Sequence, residues 1–165
     1  MSVTSTLRQT DIFYEFTLTQ LELIASICTE RTYDHRQVIF EENTKGSELY
    51  VIADGEVEIQ IDPALVGRAS TDAVGASHTI ATLRRGQSFG EIALVDQGVR
   101  SARAQAAEAE TRVLIIPRDK LMMMCDAYPQ MGYRLMRNLA ADLAMKIRNT
   151  DLKVREYLTW MQGDS

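Results

Sequence analysis

A chain of 165 residues with 45% hydrophobic and 25% charged side chains has the makeup of one folded domain, which excludes a disordered segment. Its formal net charge of −5 argues against a general nucleic-acid binder, whose phosphate contacts need a basic surface. No apolar run approaches the roughly 18 residues that span a bilayer, and the first eight residues lack the apolar core of a secretory signal. A cytoplasmic chain with no membrane partner is expected.

The charge is uneven. Residues 131–165 hold six basic and four acidic side chains, so the negative charge resides in 1–130; the basic tail reads as a solvated helix face. Cys28 and Cys125 are too few for a disulfide scaffold or an all-cysteine iron–sulfur site and read as reduced core residues.

In chain order, Thr17-Leu18-Thr19-Gln20 has the form of a capping box, and apolar residues at Leu21, Ile24 and Ile27 or Cys28 follow at helical spacing. A helix over 18–29 is predicted. From Arg31 to Arg118 short β-branched and aromatic runs alternate with turn signals: 37–40, 49–52, 57–61, 79–83 and 112–116. Asp54-Gly55 between two such runs predicts a hairpin. Many short strands at this spacing predict a small β-barrel or jelly roll.

Residues 62–78 are small and polar and form a loop longer than compact domains usually carry. They read as a mobile surface insertion, with a capping or partner-binding role as the alternative. After Pro117 the pattern returns to helix, over 120–127 and again from Pro129. From Gly132 to Gly163 no Gly or Pro intervenes, enough for a helix of about 45 Å. Its apolar positions, Met136, Leu139, Leu143, Ile147, Thr150, Val154, Tyr157 or Leu158, and Met161, recur in steps of three and four. The first half can pack on the β-body, and the second half calls for a second copy of the chain.

The informative stretch is Phe89-Gly90-Glu91-Ile92-Ala93-Leu94, followed by Arg100-Ser101-Ala102. Gly90 permits close backbone approach, and the residues after it favour a short helical turn whose free amides suit an anion. Arg100 can fork two phosphate oxygens. Glu91 beside a phosphate is repulsive unless it accepts from a hydroxyl. Amides and arginine for a phosphate, with glutamate for a hydroxyl, describe a ribose phosphate.

On these residues the chain resembles the cyclic nucleotide-binding domain family, of the catabolite activator protein and protein kinase A regulatory subunit type. The family's phosphate cassette is similar to 89–102, and its opening strands are similar to 38–46, 50–52 and 55–57. The resemblance implies a mainly β fold with flanking helices: an eight-stranded jelly-roll barrel (a double-stranded β-helix), an N-terminal helix and a long C-terminal helix. It divides the chain into an N-terminal helical segment, 1–30, a barrel, 31–118, and C-terminal lid and dimerisation helices, 119–165.

The resemblance also assigns ligand-binding roles. Glu91 takes the ribose 2′-hydroxyl and Arg100 the cyclic phosphate. Gly90, the amides of Ile92 and Ala93, the hydroxyl of Ser101, and Ala102 complete the cradle. Ile59, Ile80 and Leu83 line the base pocket, and Thr150 and Asp151 on the lid helix meet the purine edge. Two departures stand out, because the family usually has glycine near Arg36 and near Asn43. Asn43 tolerates a left-handed conformation, whereas Arg36 implies a differently shaped first turn.

In the bacterial transcription regulators of this family a helix-turn-helix follows the long helix. Here no recognition helix fits before Ser165, so direct DNA binding is not expected. A metal-binding jelly-roll enzyme needs clustered histidines, and only His35 and His78 exist, far apart and read as surface residues. Met122, Met123 and Met124 read as packing on an amphipathic helix. The expected function is therefore a non-enzymatic receptor for a cyclic mononucleotide, cAMP first with cGMP or another open. No cofactor or metal is expected. The expected partners are a second copy through the C-terminal helix and an unknown effector. The alternative is a dimerisation scaffold that keeps the fold without a ligand.

Overall fold

The computed structural model describes residues 1–62, 77–96 and 98–163. The reading of the 62–78 loop falls on 63–76 and lies outside the described residues.

The chain opens with α1 (Val3–Arg8) and a 3-10 turn (Asp11–Phe13), neither read from the sequence. α2 (Leu18–Ile27) follows, entered through the expected capping box. The Thr17 hydroxyl accepts from the Gln20 amide at 3.2 Å, and the Gln20 side chain accepts from the Thr17 amide at 3.0 Å. The strands are β1 (Thr29–Tyr33), β2 (Val38–Phe40), β3 (Glu48–Asp54), β4 (Glu56–Ile61), β5 (His78–Arg84), β6 (Ser88–Phe89), β7 (Arg103–Ala106) and β8 (Thr111–Pro117). Among the described residues the short helix α3 (Ile92–Val95) interrupts them, and α4 (Arg118–Ala127) and α5 (Pro129–Gly163) follow.

Among the described residues the strands form two four-stranded antiparallel sheets, ordered β1-β8-β3-β6 and β2-β7-β4-β5. This is the jelly-roll arrangement, with helices at both ends of the chain. One expectation needs correction: Asp54-Gly55 does not close a hairpin between paired strands. β3 pairs with β6 and β8, whereas β4 pairs with β5 and β7. The turn instead carries the chain from one sheet to the other. Gly55 has the positive φ of 89° that such a turn needs, and a Cβ there would meet the Thr111 hydroxyl at 2.5 Å.

Two apolar clusters explain the pattern of the strands. Tyr50 and Ile52 of β3 and Val113 of β8 point between the sheets, toward Val57, Leu83, Ala104 and Ala106. Their neighbours Leu49, Val51, Ala53, Leu114 and Ile116 point the other way, onto Leu7, Ile12, Phe13, Leu21, Ile24, Leu121, Met131 and Leu135. Strands buried on both faces read as unbroken apolar runs. Each large side chain buried there contributes on the order of 1.5–3 kcal/mol. β4 alternates because one of its faces is polar: Gln60 bonds Glu58 on its own strand and Gln105 and Arg103 of β7.

Arg36 and Asn43, where glycine was expected from the resemblance, both adopt left-handed conformations, with φ of 67° and 62°. At Arg36 the cost is offset locally. Its amide donates to the Ala106 carbonyl at 2.9 Å, and its carbonyl accepts from Gln105 at 2.7 Å.

α5 includes Gly132 because α4 runs close by; a Cβ there would sit 2.9 Å from the Cys125 carbonyl oxygen. Met131, Leu135 and Leu139 are buried against the body, and Asn138 donates to the carbonyls of Ile12 and Tyr14. From residue 151 to 163 every side chain of α5 is exposed, including Val154, Leu158 and Met161. Met122 and Met124 pack on the helical core with Cys28 and Cys125, and Met123 faces outward. Among the described residues no helix is long and apolar enough to cross a membrane.

Candidate functional site

Gly90 has φ of 78° and breaks the chain between β6 and α3. This turn sets Glu91 at the start of α3, where the first amides, those of Ile92 and Ala93, have no acceptor within the helix. Ala93 is buried and Ile92 exposed. Arg100 returns beside the turn on a segment held by two backbone bonds, Arg100 N–H to the Thr44 carbonyl and Asn43 N–H to the Arg100 carbonyl, each 2.8 Å.

Arg100 is only 4% exposed, and its guanidinium is held by several neighbours. Nη1 donates to the Gly90 carbonyl at 3.2 Å and Nη2 to the Glu48 carbonyl at 3.0 Å. The Glu48 carboxylate lies at 3.5 Å, and the cation sits 4.4 Å from the Phe40 ring centre and 5.5 Å from that of Tyr50. Phe40, Tyr50 and Phe89 pack together, with Tyr50 stacked on Phe89 at 5.0 Å. Burial and the Glu48 carboxylate push the Tyr50 hydroxyl up to about 12, against the opposing pull of Arg100. Nε of Arg100 is buried without a hydrogen-bond partner. A desolvated cation with a spare donor is suited to an anion.

Glu91 is 5% exposed. Its Oε1 accepts from Lys146 Nζ of α5 at 2.7 Å, while its Oε2 is buried with no partner. Lys146 also donates to the Ser88 carbonyl at 2.8 Å and pairs with Asp142 at 2.9 Å. Lower on the same helix, Lys153 donates to the Ile80 carbonyl.

The fold thus brings Gly90, Glu91, Ile92, Ala93 and Arg100 to one place, with Ala102 buried and Ser101 exposed beside them. Leu83 is buried and Ile59 half-buried between the sheets, and Ile80 is exposed on β5. Thr150 and Asp151 are exposed, and the Thr150 hydroxyl donates to the carbonyl of Lys146 on its own helix. Among the described residues, the α5 side chains that hydrogen-bond to this region include Lys146 and Lys153. Neither is singled out by the sequence pattern, and nor are Gly46, Glu48, Phe40 and Tyr50 around Arg100. The one local signal is the i, i+4 spacing of Asp142 and Lys146, which lies beside a stronger apolar stripe.

An arginine and a glutamate, each buried with an unpartnered polar atom, sit in a jelly roll, with the arginine bonded to the carbonyl of the glycine before the glutamate and a lysine of α5 bonded to the glutamate. The matching family model, the cyclic nucleotide-binding domain, covers residues 30–128, and the chain belongs to that family. It is 31% identical over 143 residues to the cyclic AMP receptor protein of Thermus thermophilus, covering 87% of this chain and 60% of that protein. It is 33% identical over 87 residues to human cGMP-dependent protein kinase 2, covering 53% of this chain and 10% of the kinase. A crystal structure described as a putative cyclic nucleotide-binding protein of Geobacter metallireducens superposes with a TM-score of 0.71 at 26% identity, over 89% of this chain and 99% of that one. The chain therefore spans less than two thirds of the two curated relatives.

Proposed function

We propose that the chain is a cytoplasmic receptor domain for a cyclic mononucleotide, cAMP first. The observation that carries this reading is the pair of unpartnered buried atoms, Arg100 Nε and Glu91 Oε2, on two residues that both adjoin Gly90, Glu91 in sequence and Arg100 by a hydrogen bond to its carbonyl. One is a cationic donor and the other an anionic acceptor. A ligand that satisfies both offers a phosphate oxygen and a hydroxyl, as a ribose cyclic phosphate does. The amides of Ile92 and Ala93 and the Ser101 hydroxyl join the phosphate cradle, Ala102 backs it, and Ile59, Ile80 and Leu83 contact the base. Thr150 and Asp151 reach the purine edge from α5.

Relatives are named for both cyclic AMP and cGMP, so the two purine ligands are the first to compare. The role is reception rather than catalysis. Ligand shifts the population of α5 positions by bonding the segment that α5 already touches. The exposed second half of α5 pairs with a second copy of the chain and passes the change to an effector. Calorimetric titration with cAMP, cGMP, cCMP and cUMP tests the reading. Saturable binding of a purine cyclic nucleotide supports it; no heat with any of the four would leave the scaffold reading in its place.

A further inference from the structure

We propose that α5 carries a second docking face, formed by Met145, Arg148, Leu152 and Arg155, and that it receives an acidic amphipathic helix of an effector protein. These positions recur in steps of three and four, which places them on one side of a helix. Arg148 and Arg155 each stand two residues after a lysine that is bonded to the barrel side. Lys146 reaches Glu91 and the Ser88 carbonyl, and Lys153 reaches the Ile80 carbonyl. Two residues turn an α-helix by about 200°, so both arginines point away from the barrel. Met145 and Leu152 likewise precede Ile147 and Val154 by two residues, and so lie across the helix from the seam assigned to a second copy. A homodimer through that seam therefore leaves this face open.

The face is apolar and cationic at once. Met145 is 64% exposed and Leu152 57%. Arg148 and Arg155 are exposed, and among the described residues neither guanidinium has an ion pair or a hydrogen bond. They sit one heptad apart, about 10 Å, on either side of Leu152. The complement is a helix with apolar side chains for Met145 and Leu152 and carboxylates flanking them at the same spacing. Other occupants fit less well. A second copy would set arginine against arginine in either orientation. A nucleic acid offers phosphates to the arginines, but its backbone gives Met145 and Leu152 no apolar partner, and it would meet a chain of net charge −5.

The test uses no nucleotide, so its failure bears on the effector alone and leaves the ligand reading standing. The probe is a synthetic three-heptad peptide with Leu at the a and d positions and Glu at e and g, whose like charges keep it from pairing with itself. Fluorescence anisotropy of the labelled peptide, titrated with the full chain, reads the affinity. Wild type is expected to bind it saturably, and more weakly as salt rises. Arg148→Glu combined with Arg155→Glu, checked for fold by circular dichroism, is expected to bind at least tenfold more weakly and to accept instead the peptide with Lys in place of Glu. Val154→Glu combined with Leu158→Glu is expected to keep wild-type affinity for the acidic peptide; loss of binding there would place the peptide on the seam and overturn the proposal. No binding by wild type, an affinity indifferent to salt, or equal affinity in the arginine variant overturns it as well. Binding of a DNA duplex or of phosphatidylglycerol vesicles in place of the peptide assigns the face to another partner and overturns it too.

Discussion

Gly46 and Arg100 stand in steric register: a Cβ on Gly46 would lie 2.4 Å from Arg100 Nε and 2.6 Å from Nη2. The guanidinium occupies the space that a side chain at 46 would take, and Gly90 clears its other flank, where a Cβ would come within 2.8 Å of Nη1. The absence of two side chains is thus part of how the cation is held.

Gly46→Ala is accordingly expected to displace the guanidinium and weaken cyclic nucleotide binding by more than tenfold, the worth of a charge-assisted hydrogen bond. Gly46 has no left-handed φ, so alanine costs little in backbone conformation and the circular dichroism spectrum is expected to match wild type. Unchanged affinity in Gly46→Ala would show that Arg100 does not hold the ligand in this pose.

Ligand binding is also expected to stabilise the fold. At about 100 times its dissociation constant a ligand adds roughly 2.7 kcal/mol, which for a domain of this size raises the melting temperature by about 5–10 °C. A flat thermal response to every cyclic mononucleotide would favour the scaffold.

The exposed stripe Val154, Leu158 and Met161 is expected to bury itself in a homodimer, because each such side chain left in water forgoes on the order of 1.5–3 kcal/mol. Light scattering after size exclusion is expected to give about twice 18.6 kDa for wild type. Replacing Val154 and Leu158 together by Glu is expected to give a monomer that still binds ligand. A wild-type mass near 18.6 kDa would place the seam's partner elsewhere.

Stability is expected to fall at alkaline pH. Burial pushes the Cys28 thiol from 9.0 up to about 12 and, with Glu48, raises Tyr50 from 10.0 to about 12. Both groups stay protonated in the folded chain over a range where the unfolded chain has released the proton. Their stabilising contribution is complete below the unfolded values and is lost as pH rises from about 9 toward 12. Urea midpoints should decline over that window, and less steeply in Cys28→Ala. A midpoint independent of pH between about 8 and 10.5 would contradict the burial of both groups.

How far the sequence carried the account depended on how each element earns its burial. α2 was legible because its cap is a local four-residue pattern, and β4 because one face is polar. β1 escaped notice since four of its five residues are exposed, leaving no alternation to read. In β7 the buried residues are Ala104 and Ala106, too small to stand out as a strand. Asp54-Gly55 has the residue types of a hairpin turn but joins two sheets, because sheet membership is decided by distant partners. In the site, Glu91 and Arg100 lie within one contiguous motif. Lys146 lies 55 residues beyond Glu91 on a helix, and only the fold brings them to 2.7 Å.

On the proposed reading Arg100 and Glu91 together receive a cyclic nucleotide. Isothermal titration of cAMP into wild type and into Arg100→Leu, both checked for fold by circular dichroism, tests it most directly. The expected result is saturable binding by wild type and at least tenfold weaker binding, or none, by the variant, since a buried charge-assisted contact to an anion is worth about 2–5 kcal/mol. Equal affinity for cAMP in the two proteins would contradict the account.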